Sequence, residues 1–337
     1  MKQVGLALIG TGMWARRLGP VIKRTPSVRL VTCYSRSPEK QQAFATEFEC
    51  EAAGSFEAAL EHPEVEGVLL LTPNNIHAEQ AIACAERGKH VFVEKPIADT
   101  LADGHKIQAA CATANVVLLV GHGFRRLGAA RKVKQLLDEG VLGTPLLAEA
   151  NFSLPGQLTP DKWRFYRDTC PGGPLMQLGL HHADTLHYWL GPVKRVQGSF
   201  VHLATEAEID NIGAATLEFE NGVRATLNSV YGTSKTFYLR LFGTAASLHY
   251  DVDMSIWPRA DQFDAATTLR LETKNGPEQI DIEPRDMLME ELDEFARCIR
   301  GEAVPETGAA EALAALEVVR GAIESHENGQ IYPMGRS

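Results

Sequence analysis

A near-continuous apolar run, Val4-Gly5-Leu6-Ala7-Leu8-Ile9, leads without a break into Gly10-Thr11-Gly12-Met13-Trp14-Ala15. This junction constrains the fold more than any other stretch. A run apolar at every position suits a parallel strand covered on both faces, since a half-exposed strand alternates. The G-x-G-x-x-A turn then has a role for each small residue. Gly10 permits the tight turn, Gly12 lets backbone approach a pyrophosphate, and Ala15 lets the next helix pack close. The helix beginning here presents N–H groups and the positive end of its dipole to phosphates. Thr11, Met13 and Trp14 lie in the same turn and are grouped with it as candidate dinucleotide contacts.

The pattern repeats. Val28–Tyr34 reads as a second strand, Gln41–Phe48 and Phe56–Glu61 as helices, Val65–Thr72 as a third strand and Ala78–Arg87 as a helix. Thr72, Pro73 and Asn74 form a strand-end turn predicted to lie beside Gly10–Ala15, with His77 as a further candidate there. The second strand ends in Ser35-Arg36. An acidic residue near this place would hold a ribose 2′-hydroxyl, whereas an arginine fork suits a 2′-phosphate. The expected cofactor is therefore NADP(H) in preference to NAD(H), with NAD(H) possible.

The stretch Lys89-His90-Val91-Phe92-Val93-Glu94-Lys95-Pro96 reads as another buried strand that ends in a charged pair and is stopped by proline. A Glu-Lys pair at the carboxyl end of a buried strand is costly unless it meets a partner or ligand. Ligands bind at that end of open parallel sheets. A helix follows through Ala112, then a strand at Val116–Val120, and the polar turn Gly121–Arg126 marks a candidate boundary.

Beyond it, Leu146–Leu154, Val193–Ala204 and Lys235–His249 read as strands. Gly213–Tyr231 reads as a hairpin turning at Glu220-Asn221-Gly222, Thr268–Thr273 and Gln279–Ile282 as further strands, and Met287–Arg300 and Ala309–His326 as helices. The predicted fold class is α/β: an N-terminal Rossmann dinucleotide-binding domain, 1–122, and a C-terminal α+β domain, 123–337. The length of 337 residues suits two domains. A net charge of −10 argues against nucleic acid or an acidic membrane surface as partner. Six scattered cysteines without a Cys-x-x-Cys pair suggest reduced thiols and a cytoplasmic setting. No metal site is expected, because His181 and His182 are adjacent and point apart.

The chain resembles the Gfo/Idh/MocA oxidoreductases. The resemblance rests on Gly10–Ala15, Thr72-Pro73-Asn74, Glu94-Lys95-Pro96, Gly121-His122 with Arg126, Leu136–Gly143, Trp163-Arg164 and Gly172–His181. It implies hydride transfer between a nicotinamide and a carbinol or carbonyl carbon of a sugar, cyclitol or related polyol. It also implies that the C-terminal domain carries a large, mostly antiparallel open sheet, and a homodimer or homotetramer built through that sheet. Carried over residue by residue, Lys95 would sit near the reacting carbon and Glu94 would orient its loop. His181 would be the second catalytic group, its ordinary pKa of about 6.5 suiting a general base. Gln177, four residues earlier on the same helical face, stands where sugar-alcohol dehydrogenases of the family usually have aspartate. An amide cannot take up a proton, so it is assigned to substrate binding. Trp163 is an apolar wall, Arg164 a polar or anionic anchor, Arg126 a weaker anchor, and Asp184 a structural or site-edge acid. The resemblance leaves three other readings open: a dehydrogenase of a cyclic dihydrodiol or hydroxy acid, a dinucleotide-sensing regulator, and a glycosidase using a tightly held nicotinamide.

Overall fold

The computed structural model describes residues 2–156, 158–257 and 259–335. They form two compact units. The first is the chain up to Gly123 together with Asp286–Leu313; the second is Phe124–Arg285 together with the chain from Ala314 onward.

The first unit opens with β1 (Val4–Ile9), α1 (Met13–Arg24), β2 (Val28–Tyr34) and α2 (Pro38–Phe48). It continues with β3 (Glu51–Ala52), α3 (Phe56–Glu61), β4 (Gly67–Leu70), α4 (His77–Glu86), β5 (His90–Glu94), α5 (Leu101–Thr113) and β6 (Leu118–Gly121). The six strands run parallel in the order β3-β2-β1-β4-β5-β6. This is the doubly wound arrangement, whose order reverses beside β1, so the loops after β1 and β4 flank a crevice at the carboxyl ends. Every residue of β1 is buried. Thr100 caps α5 by accepting the N–H of Asp103 at 3.1 Å, and Ser37 and Ser55 cap α2 and α3 in the same way.

The helix Met287–Ile299, which lies beyond the predicted boundary, packs with this first unit. Phe295 meets Phe92 of β5 edge-on at 5.9 Å, and Asp286 pairs with Arg24. Its amphipathic period marks one apolar face but does not say which sheet that face covers.

The second unit contains α6 (Gly128–Asp138), β7 (Pro145–Ser153), a π-helical turn (Leu175–Gly179) running into α7 (Leu180–Leu190), and β8 (Val193–Val201). Then come β9 (Ile212–Phe219), β10 (Arg224–Val230), β11 (Thr236–Gly243), β12 (Ala246–Val252), β13 (Thr267–Thr273), β14 (Gly276–Gln279) and β15 (Tyr332–Pro333). The nine strands form one sheet in the order β14-β13-β12-β11-β7-β10-β9-β8-β15, antiparallel except for β7 with β10. Buried and half-exposed residues alternate along β9, β11 and β12, as in a sheet with one covered face.

Two predicted strands are corrected. Lys235–His249 is a hairpin of β11 and β12, turning at Gly243-Thr244-Ala245. The alternation of apolar residues continues on both sides of that short turn and hides it. The predicted Gln279–Ile282 strand lies earlier, at Gly276–Gln279, because Gly276 (φ +108°) closes a tight turn on Thr273 and pairing starts at once.

The core under β7 and β11 is aromatic. Phe124, Phe152, Phe237 and Phe263 form a ladder with centroids 5.1–5.9 Å apart. His182 lies within it, 4.6 Å from Phe237 and 5.9 Å from Phe152, fully buried. Burial pushes its imidazole down to about 4. The unfolded chain therefore binds a proton here at higher pH than the folded chain does. The stabilisation from a neutral His182 is intact above about pH 6.5 and is lost as pH falls toward 4, at about 1.4 kcal/mol per pH unit. Urea unfolding across that window is expected to show this loss, and His182→Phe to flatten it; an unchanged slope in the variant would contradict it.

Candidate active site

In the first unit, chemistry gathers at the carboxyl ends of β1, β2, β4 and β5. Gly10 has φ +97°, and a Cβ there would lie 2.7 Å from the Leu71 carbonyl oxygen and 3.1 Å from the Thr72 methyl. The turns after β1 and β4 therefore touch, which places Thr72, Pro73 and Asn74 beside the glycine turn. A Cβ on Gly12 would meet nothing within 4 Å. Gly12 also begins α1, and the first N–H groups of that helix have no capping side chain from it. Thr11 is buried, and its hydroxyl has no hydrogen-bond partner among the described residues. An open cradle with a helix N-terminus and a waiting hydroxyl fits a dinucleotide's phosphates.

Ser35 and Arg36 follow β2, whose Tyr34 carbonyl accepts the Gly10 N–H at 2.8 Å. The Ser35 N–H donates to Gln41 Oε1 at 3.3 Å. Arg36 is exposed. Met13 is largely exposed at the start of α1, 61 %.

The remaining first-unit residues are tied together by side chains. Trp14 Nε1–H donates to Glu94 Oε1, and the Lys95 N–H donates to Glu94 Oε2 at 3.2 Å. Burial is the main influence on the Glu94 carboxyl and pushes it up to about 7; Lys95 and the Trp14 hydrogen bond oppose it. Gly121 leaves room for that carboxylate, since a Cβ there would sit 3.0 Å from Oε1. Lys95 is half-buried, and the Lys95–Pro96 peptide is cis. His77 is not placed to touch a ligand. It is buried, with Nδ1 2.9 Å from the Pro96 carbonyl and Nε2 2.9 Å from the Thr72 carbonyl. It braces the two loops on which Thr72 and Lys95 are carried. Asn74 is likewise held, donating to Asp99 Oδ1 at 3.0 Å.

In the second unit, Gly173 (φ +49°) has its α-carbon so close to the Asp210 carbonyl that a Cβ would lie 2.1 Å from it. The chain then enters the π-helical turn, whose extra residue per turn is frequent at functional sites. Gln177 lies within this turn and His181 in the first turn of α7; both are buried, at 4 % and 6 % exposure. The His181 ring packs 4.3 Å from Phe124. Gln177 Oε1 accepts Arg164 Nε–H at 3.4 Å, and the Arg164 guanidinium lies 4.3 Å over the Trp163 ring. Tyr231 is buried near the same guanidinium. Burial pushes its phenol up, and the Arg164 charge opposes this.

Arg126 does not serve as an accessible anchor. It is 1 % exposed and among the largest fully buried side chains. Asp184 pairs with Arg125, through Nε at 2.9 Å and Nη2 at 2.5 Å, both groups buried. The sequence names Trp14 and Glu94 separately as candidates but not their contact, and it singles out neither Arg125 nor Tyr231. Among the described residues no group of three His, Cys, Asp or Glu could hold a metal, and no helix is long and apolar enough to cross a membrane.

The doubly wound sheet, the open glycine turn and the Glu-Lys-Pro loop at its carboxyl edge define a pyridine-nucleotide oxidoreductase. Residues 4–122 match the oxidoreductase family with an NAD-binding Rossmann fold, and residues 130–249 match the GFO/IDH/MocA C-terminal domain. The chain belongs to the Gfo/Idh/MocA family of oxidoreductases. It is 29 % identical to a dTDP-3,4-didehydro-2,6-dideoxy-alpha-D-glucose 3-reductase of Saccharopolyspora spinosa, covering 89 % of this chain and 88 % of the relative. It is 28 % identical to a 1,5-anhydro-D-fructose reductase of Ensifer adhaerens, covering 96 % of each chain. The solved structure of a candidate NADPH-dependent oxidoreductase of Desulfitobacterium hafniense superimposes with a TM-score of 0.95 at 36 % identity, covering 99 % of this chain and 98 % of that one.

Proposed function

We propose that the protein is an NADP(H)-preferring dehydrogenase/reductase that moves hydride between the nicotinamide and a carbinol or carbonyl carbon of a sugar-type substrate. The observation that carries this reading is the Trp14–Glu94–Lys95 linkage, which fixes a half-buried lysine to the open glycine turn. Both curated relatives are reductases of sugar carbonyls, which favours sugars as the substrate class.

When bound, the nicotinamide supplies the hydride acceptor or donor. Lys95 hydrogen-bonds the reacting oxygen and lowers the cost of its developing negative charge. Glu94 receives the Lys95 N–H and holds the loop that carries the lysine. His181 exchanges the proton of the substrate hydroxyl. Trp163 supports the sugar ring, and Gln177 binds a substrate polar group in place of a proton-carrying acid.

Arg36 supports the cofactor preference, being exposed one residue beyond Ser35 with no acidic residue beside it in the turn. In assays that follow reduced-nicotinamide absorbance on a panel of sugars and polyols, NADP+ is expected to exceed NAD+ in kcat/KM by roughly ten- to a hundred-fold. Arg36→Asp should invert that ratio. Equal losses for both cofactors would contradict the role of Arg36, and no reduction of either across the panel would contradict the dehydrogenase reading.

A further inference from the structure

Arg164 is a cation whose charge the described protein does not neutralise. Its Nε–H goes to a neutral acceptor, the Gln177 amide oxygen at 3.4 Å, and its plane rests on Trp163 at 4.3 Å. Among the described residues no carboxylate lies within ion-pairing distance of it. Asp161 pairs with Lys162 and Thr159, and Asp210 with Arg167 at 3.3 Å, while Asp168 is exposed and forms no ion pair with Arg164. Stacking leaves the in-plane N–H edge of a guanidinium available, and with Nε engaged the two Nη groups form a fork. That fork matches the two oxygens of a carboxylate or phosphoryl group. The indole underneath fixes its plane and limits the rotamer freedom that an exposed arginine would lose on binding. Gln177, buried beneath, sets the guanidinium's orientation without cancelling its charge.

We infer that Arg164 reads an anionic group on the sugar, a carboxylate or phosphoryl, making the substrate an acidic sugar derivative instead of a neutral polyol. This rests on the oxidoreductase reading above and narrows its substrate class.

The test compares matched series on the holoenzyme: a neutral aldose, the uronic acid of the same stereochemistry, and its terminal phosphate, in several stereochemical series. In at least one series an anionic member is expected to exceed the neutral one in kcat/KM by roughly ten- to a hundred-fold. Whichever anion shows the larger ratio identifies the group. Arg164→Gln should collapse the ratio to within about three-fold, and Arg164→Lys, which keeps the charge but loses the fork, should leave an intermediate value. A neutral sugar turned over as well as its anionic partners would overturn the inference, as would an anion advantage that survives Arg164→Gln. If no sugar is oxidised or reduced, tryptophan fluorescence titration of the holoenzyme with the same anions decides separately. Arg164-dependent quenching would uphold anion binding while the dehydrogenase reading fails; no binding of any anion would overturn the inference itself.

Discussion

Lys95→Met is expected to lower kcat by roughly 10²–10⁴-fold, the range contributed by one positioned proton-transfer or hydrogen-bonding group, and to leave dinucleotide affinity within about three-fold. Methionine keeps the length and apolar stem of lysine and removes only the cation. The Lys95 backbone N–H remains to bond Glu94 Oε2, so the loop keeps one of its anchors. The split between kcat and cofactor Kd is the discriminating feature. A structural lysine would lower affinity and stability together, whereas a group needed only as charge develops on the reacting oxygen lowers kcat. Stopped-flow single turnover with NADPH fluorescence gives both numbers, and a kcat within ten-fold of the parent would remove Lys95 from the chemistry.

Asp184→Ala is expected to cost the second unit up to about 3–5 kcal/mol, the range for removing one partner of a buried ion pair. Arg125 is only 4 % exposed and its guanidinium forks onto the carboxylate through Nε and Nη2, so removing Asp184 takes both of these bonds from a buried cation. Tyr188, 5.1 Å from the guanidinium, covers it further. The double variant Arg125→Met with Asp184→Leu should recover most of the loss, because replacing both members removes both buried charges of the pair. Equilibrium denaturation of the three variants tests this. A single-variant loss under 1 kcal/mol, or a double variant no better than the single, would contradict it.

How much of this was legible in the sequence depended on locality. The β1–glycine–helix junction and the Glu-Lys-Pro strand end state their geometry within a dozen residues, and the structure places them at the carboxyl edge of the parallel sheet. The link between them was not readable. Trp14 and Glu94 are 80 residues apart in the chain, and nothing local to either says that they meet. The return of Met287–Ile299 to the first unit is hidden for the same reason: helical period identifies an apolar face but not its partner. Arg125 and Arg126 show the limit most sharply. Two adjacent arginines are chemically equal in sequence, and only the folded chain shows that Arg125 forks onto Asp184. His77 was readable as a residue of the β4 turn, but that both its nitrogens are taken by backbone carbonyls follows from the approach of the loop at Pro96.

The reaction proposed for this enzyme is hydride transfer from a sugar carbon to the nicotinamide. A sugar substrate carrying deuterium on the reacting carbon, incubated with the enzyme and NADP+, tests it by mass and NMR analysis of the recovered dinucleotide. The account predicts stoichiometric deuterium at C4 of the reduced nicotinamide together with one equivalent of oxidised sugar. Conversion of the sugar with no deuterium in the dinucleotide and no net reduction would contradict it.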